Sequence, residues 1–209
     1  MSLPIDRRTL MAAGLAMAAS PALAQQAGLP PPAPGQVRIA LKTGKGVITI
    51  DLEAEKAPIT AKNFLRYIDL RRLDGSTFYR AAKAEGAPEF GVIEGGLQGN
   101  PAKVFKPIPF ESTIKTGLSH KDGTISMASA KPGDATCDFF IVCGNQPSFD
   151  ATPAAPTSGF AAFGQVVGGL DLVHQILAMP TDLKTKIVAF RGEMLNPPVP
   201  IITARRVVA

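Results

Sequence analysis

The stretch VRIALKTGKGVITIDLE, residues 37 to 53, decides how the chain begins to fold. Val37, Ile39 and Leu41 alternate with Arg38 and Lys42, and Ile48, Ile50 and Leu52 alternate with Thr49, Asp51 and Glu53. A period of two marks a strand with one apolar face. Gly44-Lys45-Gly46 supplies the turn, so the stretch reads as a β-hairpin. The period then changes. In APITAKNFLRYIDL, Ala61, Phe64, Leu65 and Ile68 stand at i, i+3, i+4 and i+7, with Pro58 near the start, which predicts a helix with one apolar face.

Further along come short strand-like pieces, STFYR, FGVIEG, GTISMAS, DFFIVC and FAAFGQVV, divided by loops rich in Gly, Pro, Ser and Asp. A second helix is expected in GGLDLVHQILAM, where Leu170, Val173, Ile176 and Leu177 share a face, and VPIITARRVV reads as a closing strand. Seven or eight short strands with two helices predict a mainly β fold, a closed antiparallel barrel covered by helices. With 209 residues, 45% of them hydrophobic, the chain fits one domain with a full core.

The first residues read differently. MSLPIDRRTLMAAGLAMAASPALA has a charged start, an apolar run from Leu10 to Ala18 and a small-residue ending. That order describes a secretory signal peptide cleaved near Ala24, and the run is too short to span a bilayer. Arg7-Arg8 resembles a twin-arginine export signal. Residues 25–36 form a Pro-rich linker, and 37–209 the folded domain. Cleavage removes two of 22 basic and one of 17 acidic residues, lowering the net charge from +5 to +4. With no dense basic block, nucleic-acid binding is unsupported. Without a Cys after the cleavage site, no membrane anchor is expected.

Few groups are available for chemistry. The two histidines, His120 and His174, and the acids and cysteines show no metal-ligand spacing. A Ser-His-Asp triad can be drawn around His120, but no nucleophile elbow accompanies it. Gly95-Gly96 does not open a helix, so phosphate and dinucleotide sites are not expected. Cys137 and Cys143 flank an expected strand that would hold them about 20 Å apart. A disulfide needs Cα atoms within about 7 Å, so both read as small buried residues.

Six segments in order, TAKNFLRYID, GSTFYR, GVIEGG, GTISMASA, DFFIVCGNQPSFD and GFAAFGQVVGGLDLV, make the chain resemble the cyclophilin family of peptidyl-prolyl isomerases from Val37 to Val208. That resemblance implies an eight-stranded barrel capped by two α-helices. It implies that Arg80 is the catalytic arginine and Phe140 the floor of the proline pocket. Val92 holds a position often Met or Leu, Phe149 matches a pocket-wall leucine, and Phe160 stands where many members have histidine. Ala128 and Ser129 match the backbone that pairs with bound peptide. Glu94 and Asp138 replace the family's usual glutamines, within expected reach of Arg80. Ser148 replaces the tryptophan that contacts cyclosporin in many members. The expected protein is a monomeric isomerase without cofactor or metal, acting in the periplasm on proline-containing unfolded or folding polypeptides. The alternative is a non-catalytic proline-peptide binding or chaperone module on the same barrel.

Overall fold

The computed structural model describes residues 28–207 apart from 184 and 186. The expected signal peptide lies outside the described residues. Strands β1 (Gln36–Thr43) and β2 (Gly46–Glu53) form the expected hairpin, with Ile39 opposite Ile50 and Leu41 opposite Ile48. From β2 the sheet continues through β7 (Ala162–Gly168), β5 (Thr124–Met127), β6 (Phe139–Cys143), β4 (Ala87–Gly96) and β3 (Ser76–Ala84) to β9 (Met194–Arg206). Strand β9 then pairs back onto β1, so eight antiparallel strands close into a barrel. Closure leaves no long unpaired edge. The two-residue β8 (Thr181–Asp182) adds only to one end of β9.

Inward positions of every long strand supply one apolar core, including Ile39, Leu41, Ile50, Phe78, Ile93, Ile141 and Phe163. Two helices bury their apolar faces against it, α1 (Pro58–Asp69) and α3 (Leu170–Leu177), as the 3.6-residue spacing predicts. Phe64 of α1 meets Phe139 edge-on at 5.1 Å between ring centroids and Phe163 at 5.2 Å. Ala57 precedes α1 and has no side chain to cap it. Glu111 does so from a distant loop, accepting hydrogen bonds from the Thr60 amide and hydroxyl, each at 2.7 Å. A carboxylate there satisfies unpaired donors and complements the helix dipole.

Three features depart from expectation. Both faces of the hairpin are covered, because Arg38 and Asp51 are direct cross-strand partners joined by two 2.7 Å hydrogen bonds. The guanidinium also donates to the Pro30 carbonyl at 2.6 Å, which ties residues of the linker to the barrel wall. A third helix, the single turn α2 (Thr113–Thr116), precedes Gly117, whose φ of 69° favours glycine. Strand β9 starts at Met194, earlier than expected, and β5 stops before Ala128. Cys137 and Cys143 are free and buried, as expected. Burial pushes the Cys143 thiol up to about 12, so it stays protonated at neutral pH.

Candidate active site

Cross-strand partners share one face of a sheet. Met194 pairs with Arg80, Arg80 with Glu94, Glu94 with Phe140, and Phe140 with Ser126. Their chain neighbours Ala81, Ile93, Phe139, Ile141 and Ile125 fill the core, so this row faces outward. Strand β3 shifts register between Phe78 and Arg80 against both neighbours, a bulge that re-aims the side chain. Along the next row, Val92 and Val142 join Phe140 in a second apolar cluster outside the barrel, flanked by Ala82, Ala128, Phe149 and Phe160.

Three phenyl rings form an apolar box in this cluster. Phe140, Phe149 and Phe160 meet edge to face, with centroids 5.2 to 5.8 Å apart. His120 backs the box, stacked on Phe140 at 6.0 Å. Its Nδ1 lies 2.5 Å from Asp150 and its Nε2 2.9 Å from the Ser126 hydroxyl. A carboxylate can only accept, so Nδ1 carries the proton, and the neutral ring accepts from Ser126 through Nε2. Burial lowers the His120 pKa, and the Asp150 carboxylate offsets this only in part. Ser126, His120 and Asp150 thus have the order of a hydrolytic triad. Ser126 is 0% exposed and His120 1%, however, so no substrate reaches the hydroxyl. The trio instead lies behind the box, with the His120 ring edge-on to Phe149 at 5.8 Å.

Beside the box, Arg80 is held on three sides. Its Nη1 donates to Glu94 at 2.6 Å, its Nε donates to Glu193 at 2.7 Å, and the Phe190 ring lies 4.1 Å from the guanidinium carbon. Burial alone would lower the Arg80 pKa, but the two carboxylates outweigh it and raise the pKa. Among the described residues neither hydrogen of Nη2 is engaged, so this nitrogen remains a double donor. Glu94 accepts a second bond at 2.8 Å from the Tyr79 hydroxyl. Burial and the Glu94 charge drive that phenol far above its usual range, so it stays a donor.

All nine residues singled out from the sequence line one cavity of about 870 Å³: Arg80, Val92, Glu94, Ala128, Ser129, Asp138, Phe140, Phe149 and Phe160. Asp138 does not reach toward Arg80 as expected. Its carboxylate accepts from the amides of Gln98 and Gly99, each at 2.8 Å, and so shapes the loop after β4. Burial raises its pKa, an effect those amides reduce. Gly96 is needed there, since a Cβ at its φ of 135° would lie 2.3 Å from Asp138 Oδ1. Sequence reasoning missed Glu193, Phe190, Met194 and Ile187, which enter from the segment before and at the start of β9. No periodicity marks that segment. It also did not assign Asp150, whose partnership with His120 spans 30 residues.

Among the described residues, no group of three or more His, Cys, Asp or Glu could hold a metal ion. Nor is any helix there long and apolar enough to cross a membrane.

Comparison with known proteins matches residues 38–203 to the family model described as cyclophilin type peptidyl-prolyl cis-trans isomerase. A peptidyl-prolyl cis-trans isomerase of Acinetobacter baylyi is 33% identical over 144 residues, covering 68% of this chain and 73% of that one. Isomerase A of Dickeya dadantii is 31% identical over 145 residues, covering 69% and 73%. The crystal structure of a Cryptosporidium parvum cyclophilin type isomerase superposes with a TM-score of 0.62 at 18% identity, covering 83% of this chain and 99% of that one. A second structure of that protein, in the presence of the dipeptide Ala-Pro, gives 0.62 at 19% identity, covering 82% and 99%.

Proposed function

The chain belongs to the cyclophilin family of peptidyl-prolyl cis-trans isomerases, and we propose that it turns over Xaa–Pro bonds of exported polypeptides in the Arg80 cavity. Its reaction is the cis–trans isomerisation of the bond preceding proline. The observation that carries the site assignment is the placement of a guanidinium with free donors beside a three-phenyl box in one cavity.

The chemistry explains why so few groups suffice. Amide resonance sets a barrier of about 18–20 kcal/mol to rotation, and no covalent bond need break. The prolyl ring enters the Phe140–Phe149–Phe160 box while the preceding carbonyl rotates. At the twisted geometry the prolyl nitrogen regains a lone pair, which Nη2 of Arg80 meets as a donor. The planar ground state offers no such lone pair, so the hydrogen bond forms only where the barrier lies. Glu94 and Glu193 hold the guanidinium before substrate arrives, which limits the freedom lost at the transition state. Ala128 and Ser129, beyond the end of β5, present backbone to the residues preceding the proline.

Arg7-Arg8, the apolar run to Ala18 and the small residues before Gln25 support export to the periplasm, where folding chains supply the substrate. The protein acts there as a monomer without cofactor. Exchange spectroscopy on an Ala-Pro-containing peptide tests the activity without a coupling protease. Catalysed exchange, abolished by a proline peptide that fills the cavity, supports the reading. Peptide binding without exchange would mark the protein as the binding module instead.

A further inference from the structure

The cavity does not end at the phenyl box. Beyond Arg80 it is lined by Ile187, Ala189 and Phe190, from the segment between β8 and β9, and by Met194, which opens β9. Its volume of about 870 Å³ lies near the upper end of sites for whole small ligands, roughly 300–1,000 Å³, and far exceeds one prolyl ring. The same segment presents Leu183, Ile187 and Val188 to solvent at 72%, 54% and 67% exposure. Scattered exposed apolar side chains are ordinary, but three within six residues, with Ile187 itself in the cavity lining, mark a contact surface.

Resting on the isomerase reading, we propose that Ile187, Ala189, Phe190 and Met194 form a second subsite, which takes an apolar side chain one or two residues from the substrate proline. Continuity names the occupant. A polypeptide with its proline in the box and its prolyl nitrogen at Arg80 must leave the site past the guanidinium. The Phe190 ring packs on the guanidinium, 4.1 Å from its carbon, and Ile187 lines the cavity with it. A flanking residue therefore falls against Phe190 and Ile187.

The polar lining explains why that residue is apolar. Arg80 is bound to Glu94 and Glu193, Glu94 also to Tyr79, Asp138 to the Gln98 and Gly99 amides, and Lys83 to the Met179 carbonyl at 3.1 Å. Apart from the Nη2 donors of Arg80, which serve the prolyl nitrogen, each charged group named in the lining has a partner in the protein, and apolar surface is left to read the flanking residue.

The test compares Leu, Ser and Glu at each of the two positions on either side of proline, by exchange spectroscopy on the full chain and on the Ile187→Ser/Val188→Ser variant. Both positions are largely exposed, so the variant should keep the wild-type circular dichroism and melting temperature. The proposal expects wild type to prefer Leu over Ser about fivefold in kcat/KM at one position, the preference residing in KM, since partial burial of one apolar side chain accounts for a factor of that size. The variant should bring the ratio near one. A wild type that turns over every peptide without preference overturns the subsite alone, as does a variant that keeps the preference. Light scattering that shows a dimer dispersed by the substitutions would assign the patch to a second copy of the chain. A wild type inactive on every peptide would defeat the isomerase reading itself.

Discussion

Removing the Glu193 carboxylate should slow the enzyme without unfolding it. Arg80 is anchored at Nε by Glu193 at 2.7 Å and at Nη1 by Glu94 at 2.6 Å. An arginine side chain carries about 2 kcal/mol of rotamer entropy, and two anchors suppress most of it before substrate binds. Loss of one restores about half, roughly 1 kcal/mol, and the transition state must then supply it. Each factor of ten in rate corresponds to about 1.4 kcal/mol, so Glu193→Ala should lower kcat/KM about fivefold. Glu193→Gln keeps an oxygen that can accept from Nε and should recover most of the rate. Glu193 and Arg80 are both partly solvated, so the pair contributes little to stability, about 1 kcal/mol or less. Protease-free exchange kinetics supply the rate, and the ¹⁵N-resolved Nε–Hε resonance of Arg80 reports the anchor directly. The resonance should move and broaden in Glu193→Ala and return in Glu193→Gln. A Glu193→Ala enzyme within twofold of wild type, with an unmoved resonance, would refute the anchoring argument.

Replacing Glu94 by Gln should slow turnover by a comparable factor, because Glu94 accepts from Arg80 with one oxygen and from Tyr79 with the other, and an amide keeps only one acceptor; a faster enzyme would make Glu94 a competitor for donors rather than an anchor. Cyclosporin should bind weakly, since exposed Ser148 replaces a large aromatic anchor whose loss commonly costs about 2 kcal/mol or more; nanomolar inhibition measured by titration calorimetry would contradict it. His120 has a lowered pKa in the folded protein, so the unfolded chain binds more protons as pH falls below about 6.5. Stability should therefore decline from that pH downward, and urea titrations should show a shallower decline in His120→Gln; an equal slope in both proteins would remove His120 from the linkage. Protein recovered from its source should begin near Gln25 by intact mass, and a full-length cytosolic species would defeat the export reading.

The barrel was legible because its signals are local. Alternation in Val37–Glu53 and the apolar stripe of Ala61, Phe64, Leu65 and Ile68 each fall within one element, and closure follows from giving every strand a partner. The candidate site was legible through the resemblance, which singled out nine residues that do line the cavity but could not orient them. Glu94 and Asp138 illustrate the limit. Both are acids in strand-like segments, yet Glu94 faces Arg80 across a strand pair while Asp138, just before β6, turns to the amides of Gln98 and Gly99. Glu193 was invisible for a further reason. It lies 113 residues from Arg80 in a segment with no periodicity, and only the β3–β9 pairing brings it to the site. His120 shows the converse, a triad that can be drawn from the sequence and is present in space, but is sealed behind Phe140.

The most direct measurement is kcat/KM of wild type and Arg80→Ala on one Xaa–Pro peptide, in a protease-free assay with circular dichroism as the folding control. Loss of one preorganised donor lowers turnover by about 10²–10³, and because Arg80 lies outside the barrel core the variant should keep the wild-type spectrum. A folded Arg80→Ala protein with near-normal turnover would contradict the assignment of Arg80 as the group that meets the prolyl nitrogen.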